Sequence, residues 1–218
     1  MNFTAKLGIG IASGLGISGA GVAGTHYSSI ETIGNQIKDS VLGTTSDFDE
    51  AWSDQFKKLA KESKLPNSLE SIKNKYKDNN KDGGQAINRW CQATYKNTYK
   101  SKLSRPNGKE LEMAKKFCIL TLSERLTNSL STNDKILSFD GTGDESDYQT
   151  NYSKINNHNN DTEGHLPQEL SNLKKHAGEA GSKWKEIQNF CKQKVPTPFR
   201  NINDFKIVRK YCTKNSSN

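Results

Sequence analysis

The segment Ile87-Asn88-Arg89-Trp90-Cys91 returns later in the chain as Ile187-Gln188-Asn189-Phe190-Cys191. Each segment sets an isoleucine four positions ahead of the cysteine that closes an aromatic-Cys pair. Upstream, Leu65-Pro66-Asn67-Ser68-Leu69-Glu70-Ser71-Ile72-Lys73 aligns with Leu166-Pro167-Gln168-Glu169-Leu170-Ser171-Asn172-Leu173-Lys174. Downstream, Met113-Ala114-Lys115-Lys116-Phe117-Cys118 aligns with Ile207-Val208-Arg209-Lys210-Tyr211-Cys212. Three matches in the same order, with slowly drifting offsets, are the signature of an internal duplication. Trp52 and Phe56 correspond to Tyr148 and Tyr152.

Each copy reads as helices, so the expected fold is mainly α, with two tandem divergent helical repeats behind an N-terminal hydrophobic helix. Phe48, Trp52, Phe56 and Leu59 fall on one helical face, and Ser46 with Asp49 resembles a capping box that lacks the preferred Glu. Pro66 and Pro167 stand where a first-turn proline is tolerated, ahead of Leu69, Ile72 and Tyr76 in one copy and Leu170 and Leu173 in the other. Gly83-Gly84 is expected to break the chain before a helix over 86–99, and Pro106-Asn107-Gly108 before a helix over 110–130. The aromatic residues are core candidates. The boundaries that follow are a Gly-rich segment at 1–30, a linker at 31–45, repeat one at 46–130, a linker at 131–147, repeat two at 148–214, and a tail at 215–218.

The hydrophobic fraction is 32% and the mean hydropathy -0.86, which predicts thin cores that need covalent support. Four cysteines, two per copy and none left over, suit an oxidising compartment. Sequence alone permits three connectivities. A copied unit should carry its own bridge, which favours Cys91 with Cys118 and Cys191 with Cys212. The alternative is four reduced, buried thiols. Without a C-x2-C spacing, zinc is disfavoured.

Residues 7–30 carry no formal charge and are long enough to cross a bilayer. Small residues at Ala12, Gly16, Ala20 and Gly24 recur every fourth position, the spacing that lets membrane helices approach closely. Lys6 before the segment and Asp39, Asp47, Asp49 and Glu50 beyond it orient the body outward. A cleavable signal ending near Gly21-Val22-Ala23 is the competing reading. Gly14-Leu15-Gly16-Ile17-Ser18-Gly19 fits a dinucleotide fingerprint, but the flanking strand and the downstream βα units it requires are missing.

The net charge is +8, yet cations and carboxylates alternate along most of the chain, so specific nucleic-acid binding is not expected. Asp78 to Gly83 imitates half of a calcium loop, but Arg89 stands where a bidentate Glu is needed. The stretch 156–161 reads as an exposed loop. His26, His158, His165 and His176 share no ligand or triad spacing. No nucleophile elbow, zincin or phosphate-loop motif is present, so no catalytic residue, metal, cofactor or small-molecule substrate is expected.

The Gly/Ala-rich segment, the Lys- and Asn-rich helices and pairs such as Arg89-Trp90-Cys91 and Tyr211-Cys212 resemble the large paralogous families of uncharacterised surface-type proteins of haemotropic mycoplasmas. The resemblance spans most of the chain. It implies a variable surface protein facing a host cell, and it brings no binding residues with it. The expectation is therefore a membrane-anchored, externally displayed, non-enzymatic protein whose partner is a host-cell molecule or another copy of itself. A secreted binding module and an enzyme of unrecognised type are the alternatives.

Overall fold

A computed structural model describes residues 30–101, 104–176 and 178–214. The chain is mainly helical, and its core is one continuous cluster that draws on both segments assigned to repeats. The hydrophobic segment at 7–29, its fingerprint-like glycines, His26 and the tail lie outside the described residues. Among those described, no helix is long and apolar enough to cross a membrane.

Strand β1 (Glu31–Thr32) leads into α1 (Ile33–Ile37), which Thr32 caps by accepting from the Asn35 amide at 3.2 Å. The stretch expected to be a linker thus places Ile33, Ile37 and Leu42 in the core. Helix α2 (Asp49–Ala60) follows, with Phe48, Trp52, Phe56 and Leu59 all buried on the expected face. Ser46 does not form a capping box with Asp49. Residues 46–48 make a 3-10 turn whose end delivers Phe48 into the core, 5.0 Å from the ring of Phe199. Asp49 and Glu50 in the first turn, with Lys57 and Lys58 in the last, complement the helix dipole.

Helix α3 (Asn67–Lys75) starts directly after Pro66, whose carbonyl accepts from Glu70 at 2.9 Å. Helix α4 (Asn80–Thr94) runs straight through Gly83-Gly84, where the sequence predicted a break. A Cβ on Gly84 would lie 2.7 Å from the backbone of Trp52 and Ser53, and one on Gly83 2.5 Å from the Phe56 ring. The two glycines permit α2 and α4 to touch backbone to backbone; they are contact residues. The helix also stops earlier than predicted. The Tyr95 and Asn97 carbonyls accept from Gly34 and Ile33, and Thr98–Lys100 forms β2, antiparallel to β1.

The single helix expected over 110–130 is two, α5 (Gly108–Cys118) and α6 (Leu122–Ser129). Ile119 to Thr121 are extended because neighbouring segments use their backbone. Leu42 donates to the Cys118 carbonyl, Gln55 to that of Ile119, and Phe199 to that of Leu120. A full capping box, Thr121 with Glu124, then restarts the helix.

Residues 131–147, read as a linker, supply β3 (Lys135–Ile136), the buried Leu137 and the buried Asp144. Helices α7 (Glu145–Ser153), α8 (Asn160–Glu163), α9 (Gln168–Leu173), α10 (Ala180–Lys194) and α11 (Ile202–Tyr211) follow, and β4 (Thr213–Lys214) pairs antiparallel with β3. Helix α7 packs on α10, where the Tyr148 and Trp184 rings stack at 6.1 Å. Pro167 precedes α9 as Pro66 precedes α3, and its carbonyl accepts from Ser171 at 2.8 Å.

Two disulfides, Cys91–Cys118 joining α4 to α5 and Cys191–Cys212 joining α10 to the end of α11, are buried among these helices. These are the pairings favoured from the sequence. The seam between the two segments is filled by Phe48, Phe199 and Phe205 and by Arg125, which lies 5.0 Å above the Phe205 ring. Arg125 also donates to Asp54 at 3.0 Å and to Glu50, so a nearly buried cation is held on both its apolar face and its edge.

Candidate functional site

Tyr148, Tyr152 and Ile155 bury one side of α7 and its extension, which leaves Thr150, Ser153, Lys154 and Asn157 on the other. Helix α11 divides in the same way. Phe205, Val208 and Tyr211 face the core, while Lys206, Arg209 and Lys210 recur at i, i+3 and i+4 on one outer face. The buried Asn151 amide fixes the two helices against each other by donating to the Tyr211 and Thr213 carbonyls at 3.1 and 3.0 Å. Between them lies a cleft of about 770 Å³, closed at one end by Thr162 and Glu163 of α8.

His158 holds α8 in place. The sequence placed it in an exposed loop, but its side chain is fully shielded from solvent, and the loop reading fails there. Its ring touches the Gly164 carbonyl through Nε2 at 2.7 Å and the Tyr211 hydroxyl through Nδ1 at 2.8 Å. With Nε2–H donating to the carbonyl, Nδ1 accepts from the phenol in the neutral ring. Glu163 lies 3.3 Å from the same Nδ1 and also accepts from Lys210 and from the Asn159 amide. Gly164 takes a left-handed conformation, φ 93°, with the Asn203 side chain against it.

Among the described residues, four cations and one carboxylate therefore line the cleft. Lys206 donates to the Thr162 carbonyl at 3.4 Å, and among the described residues neither Lys206 nor Arg209 has an ion-pair partner. Half-burial, and secondarily the charge of Lys210, hold the Lys154 ammonium below its ordinary pKa. Burial pushes Glu163 up, but the hydrogen bonds from Lys210 and Asn159 and the nearby positive charges outweigh it, and the net shift is downward. Tyr211 is pushed up by burial and then by Glu163, which keeps its hydroxyl protonated.

A second concavity of about 820 Å³ surrounds Trp90, with Leu65, Pro66 and Met113. Its charges balance, Lys64 and Lys109 against Glu110 and Glu112, so it carries no comparable field.

No protein-family model, curated protein or solved structure matches the chain.

Asn79, Asp82 and His176, which belong to features singled out in the sequence, are engaged in holding the fold. Asn79 caps α4, accepting from the Asp82 amide at 3.0 Å and donating to its carboxylate, so half of the calcium-like stretch is a helix start. In the stretch 131–147, Asp140 pairs with Lys192, and Asp144 takes the Ser138 amide and Lys135. His176 pairs with Glu179 at 2.8 Å. Among the described residues no group of three His, Cys, Asp or Glu side chains could hold a metal ion. The cleft leaves little sign in the sequence, because Arg209 and Lys210 lie inside the aromatic-Cys match and Lys206 directly before it, and the match reports the buried face of the same helix. His158 was findable in principle: Tyr152, Ile155 and His158 are spaced by threes, along a continuing helical face.

Proposed function

We propose that this chain is a disulfide-stapled, externally displayed binding protein without catalysis of its own, anchored through residues 7–30. The observation that carries the reading is the oxidised pairing of all four cysteines inside the core, an arrangement that persists in extracellular rather than reducing compartments. The helical body presents the cationic cleft between α7, α8 and α11 as its binding surface. The host-facing surface proteins of haemotropic mycoplasmas remain the family whose sequence features it resembles, and its partner is a host-cell molecule or a second copy of the chain.

The body is, in this reading, a divergent tandem duplication over 46–130 and 148–214. Matching placements support it. A Pro-capped helix precedes a helix of 15 residues in both segments, and the latter carries the first cysteine of each bridge. An earlier helix packs on that one in each case, α2 on α4 and α7 on α10. The Trp52 indole and the Tyr148 phenol each donate to a backbone carbonyl just upstream, those of Gly43 and Ser138.

Protease added to intact cells tests display: the body is cleaved while a cytosolic marker stays whole. A body left untouched on sealed cells contradicts it. Release after cleavage near Gly21-Val22-Ala23 is the second reading, favoured by those small residues. It predicts a mature N-terminus just beyond them, read by N-terminal sequencing.

A further inference from the structure

Among the described residues, the cleft between α7, α8 and α11 holds two cations, Lys206 and Arg209, that have no ion-pair partner. Lys154 and Lys210 line it beside them, and the carboxylate of Glu163 is already engaged by Lys210 and the Asn159 amide. Cations held this close repel one another, and the cost grows where half-buried Lys154 and Lys210 lose hydration. A bound dianion would remove that repulsion. Lys supplies point charges and Arg a planar fork, a combination suited to tetrahedral oxyanions.

The remaining lining narrows the ligand further. Thr150 and Ser153 donate their hydroxyls back to the carbonyls of Ser146 and Gln149, at 2.9 and 3.0 Å. Their free capacity is therefore as acceptors, matched to hydroxyl groups of a ligand. Asn157 and Thr162 add further polar edges. A volume of about 770 Å³ is ample for a sugar ring, whereas a lone phosphate or sulfate would leave most of it to water.

We propose that this cleft binds a sugar carrying a phosphate or sulfate ester, with Lys206 and Arg209 grasping the ester oxyanion and the α7 hydroxyls accepting from the ring. The assignment rests on the binding-protein reading and names the ligand class of its surface. No bond is made or broken in the bound sugar.

Isothermal titration of the full, oxidised chain tests it with glucose 6-phosphate, glucose 6-sulfate, glucose, inorganic phosphate and inorganic sulfate. Saturable one-to-one binding of at least one ester is expected, tighter by about tenfold than glucose or either inorganic ion. The ester that binds identifies the oxyanion. Charge reversal at two exposed positions, Lys206→Glu with Arg209→Glu, is expected to weaken binding by at least about tenfold. An equal reversal elsewhere, Lys96→Glu with Lys115→Glu, leaves it unchanged. The milder pair Lys206→Gln with Arg209→Gln gives the same loss and guards against misfolding of the reversed variant.

Absence of saturable binding by both esters overturns the proposal. So does an inorganic ion that binds as tightly as its sugar ester, or an equal loss in the Lys96/Lys115 variant. A failed titration, with the body still cleaved on intact cells, removes this ligand and leaves display standing.

Discussion

The Tyr211 hydroxyl and His158 Nδ1 lie 2.8 Å apart, joining the last turn of α11 to the segment that carries α8, in a place water does not reach. Removing the phenol oxygen leaves a buried ring nitrogen facing only Glu163. Tyr211→Phe is expected to lower stability by about 1–3 kcal/mol, the cost of an unsatisfied buried acceptor. Urea unfolding measures it, and an unchanged midpoint would show that the contact contributes nothing.

Acid should weaken the fold through carboxylates held below their ordinary pKa. The Lys135 hydrogen bond, and then the Ser138 amide, hold Asp144 low against the opposing effect of burial. Glu124 is raised by burial but lowered more by the Thr121 amide and Lys58, and Glu163 behaves alike. A depressed pKa in the folded state stabilises above the unfolded value and loses that stabilisation as pH falls through the folded one. Unfolding free energy is therefore expected to hold at neutral pH and decline below about pH 4. Asp144→Asn lowers stability at neutral pH and makes that acid decline shallower.

Gly84→Ala sets local propensity against packing. Alanine is the better helix residue by about 1 kcal/mol, yet its methyl would meet the α2 backbone at 2.7 Å. Separating two helices at a backbone contact costs more than that gain, and a net loss of roughly 1–3 kcal/mol is expected. Thermal or denaturant unfolding decides the sign, and a stabilised variant would mean that α2 and α4 stand further apart.

Such positions mark what the sequence could and could not disclose. The stripe Phe48, Trp52, Phe56 and Leu59 was legible because burial of one helix face leaves a periodic trace. Gly83-Gly84 was misread because the same residue serves as a breaker and as a close-contact spacer, and only the partner helix distinguishes the two. The interruption at Ile119 to Thr121 left a faint signal, since remote groups such as Gln55 and Phe199 hold that backbone extended. Of the cleft, the i, i+3, i+4 cations of α11 were present in the sequence. Their meeting with Lys154 and Glu163 was not, because Asn151 and His158 assemble it across more than fifty residues of chain.

Each bridge closes a loop of similar length, 27 residues for Cys91–Cys118 and 21 for Cys191–Cys212. Replacing either pair by alanines is expected to remove about 3–4 kcal/mol, with the chain-entropy contribution close to equal for the two. The bridges end in one shared core, so each loss should appear as a single lowered unfolding transition. One segment melting while the other persists would show that they fold independently.

The oxidised, externally displayed scaffold is tested most directly by counting thiols in protein taken from its native cells. The sample is alkylated at once, denatured, and titrated with and without reductant. All four cysteines are expected to be unreactive before reduction and reactive after it. Four free thiols without reductant would contradict the scaffold and its compartment together.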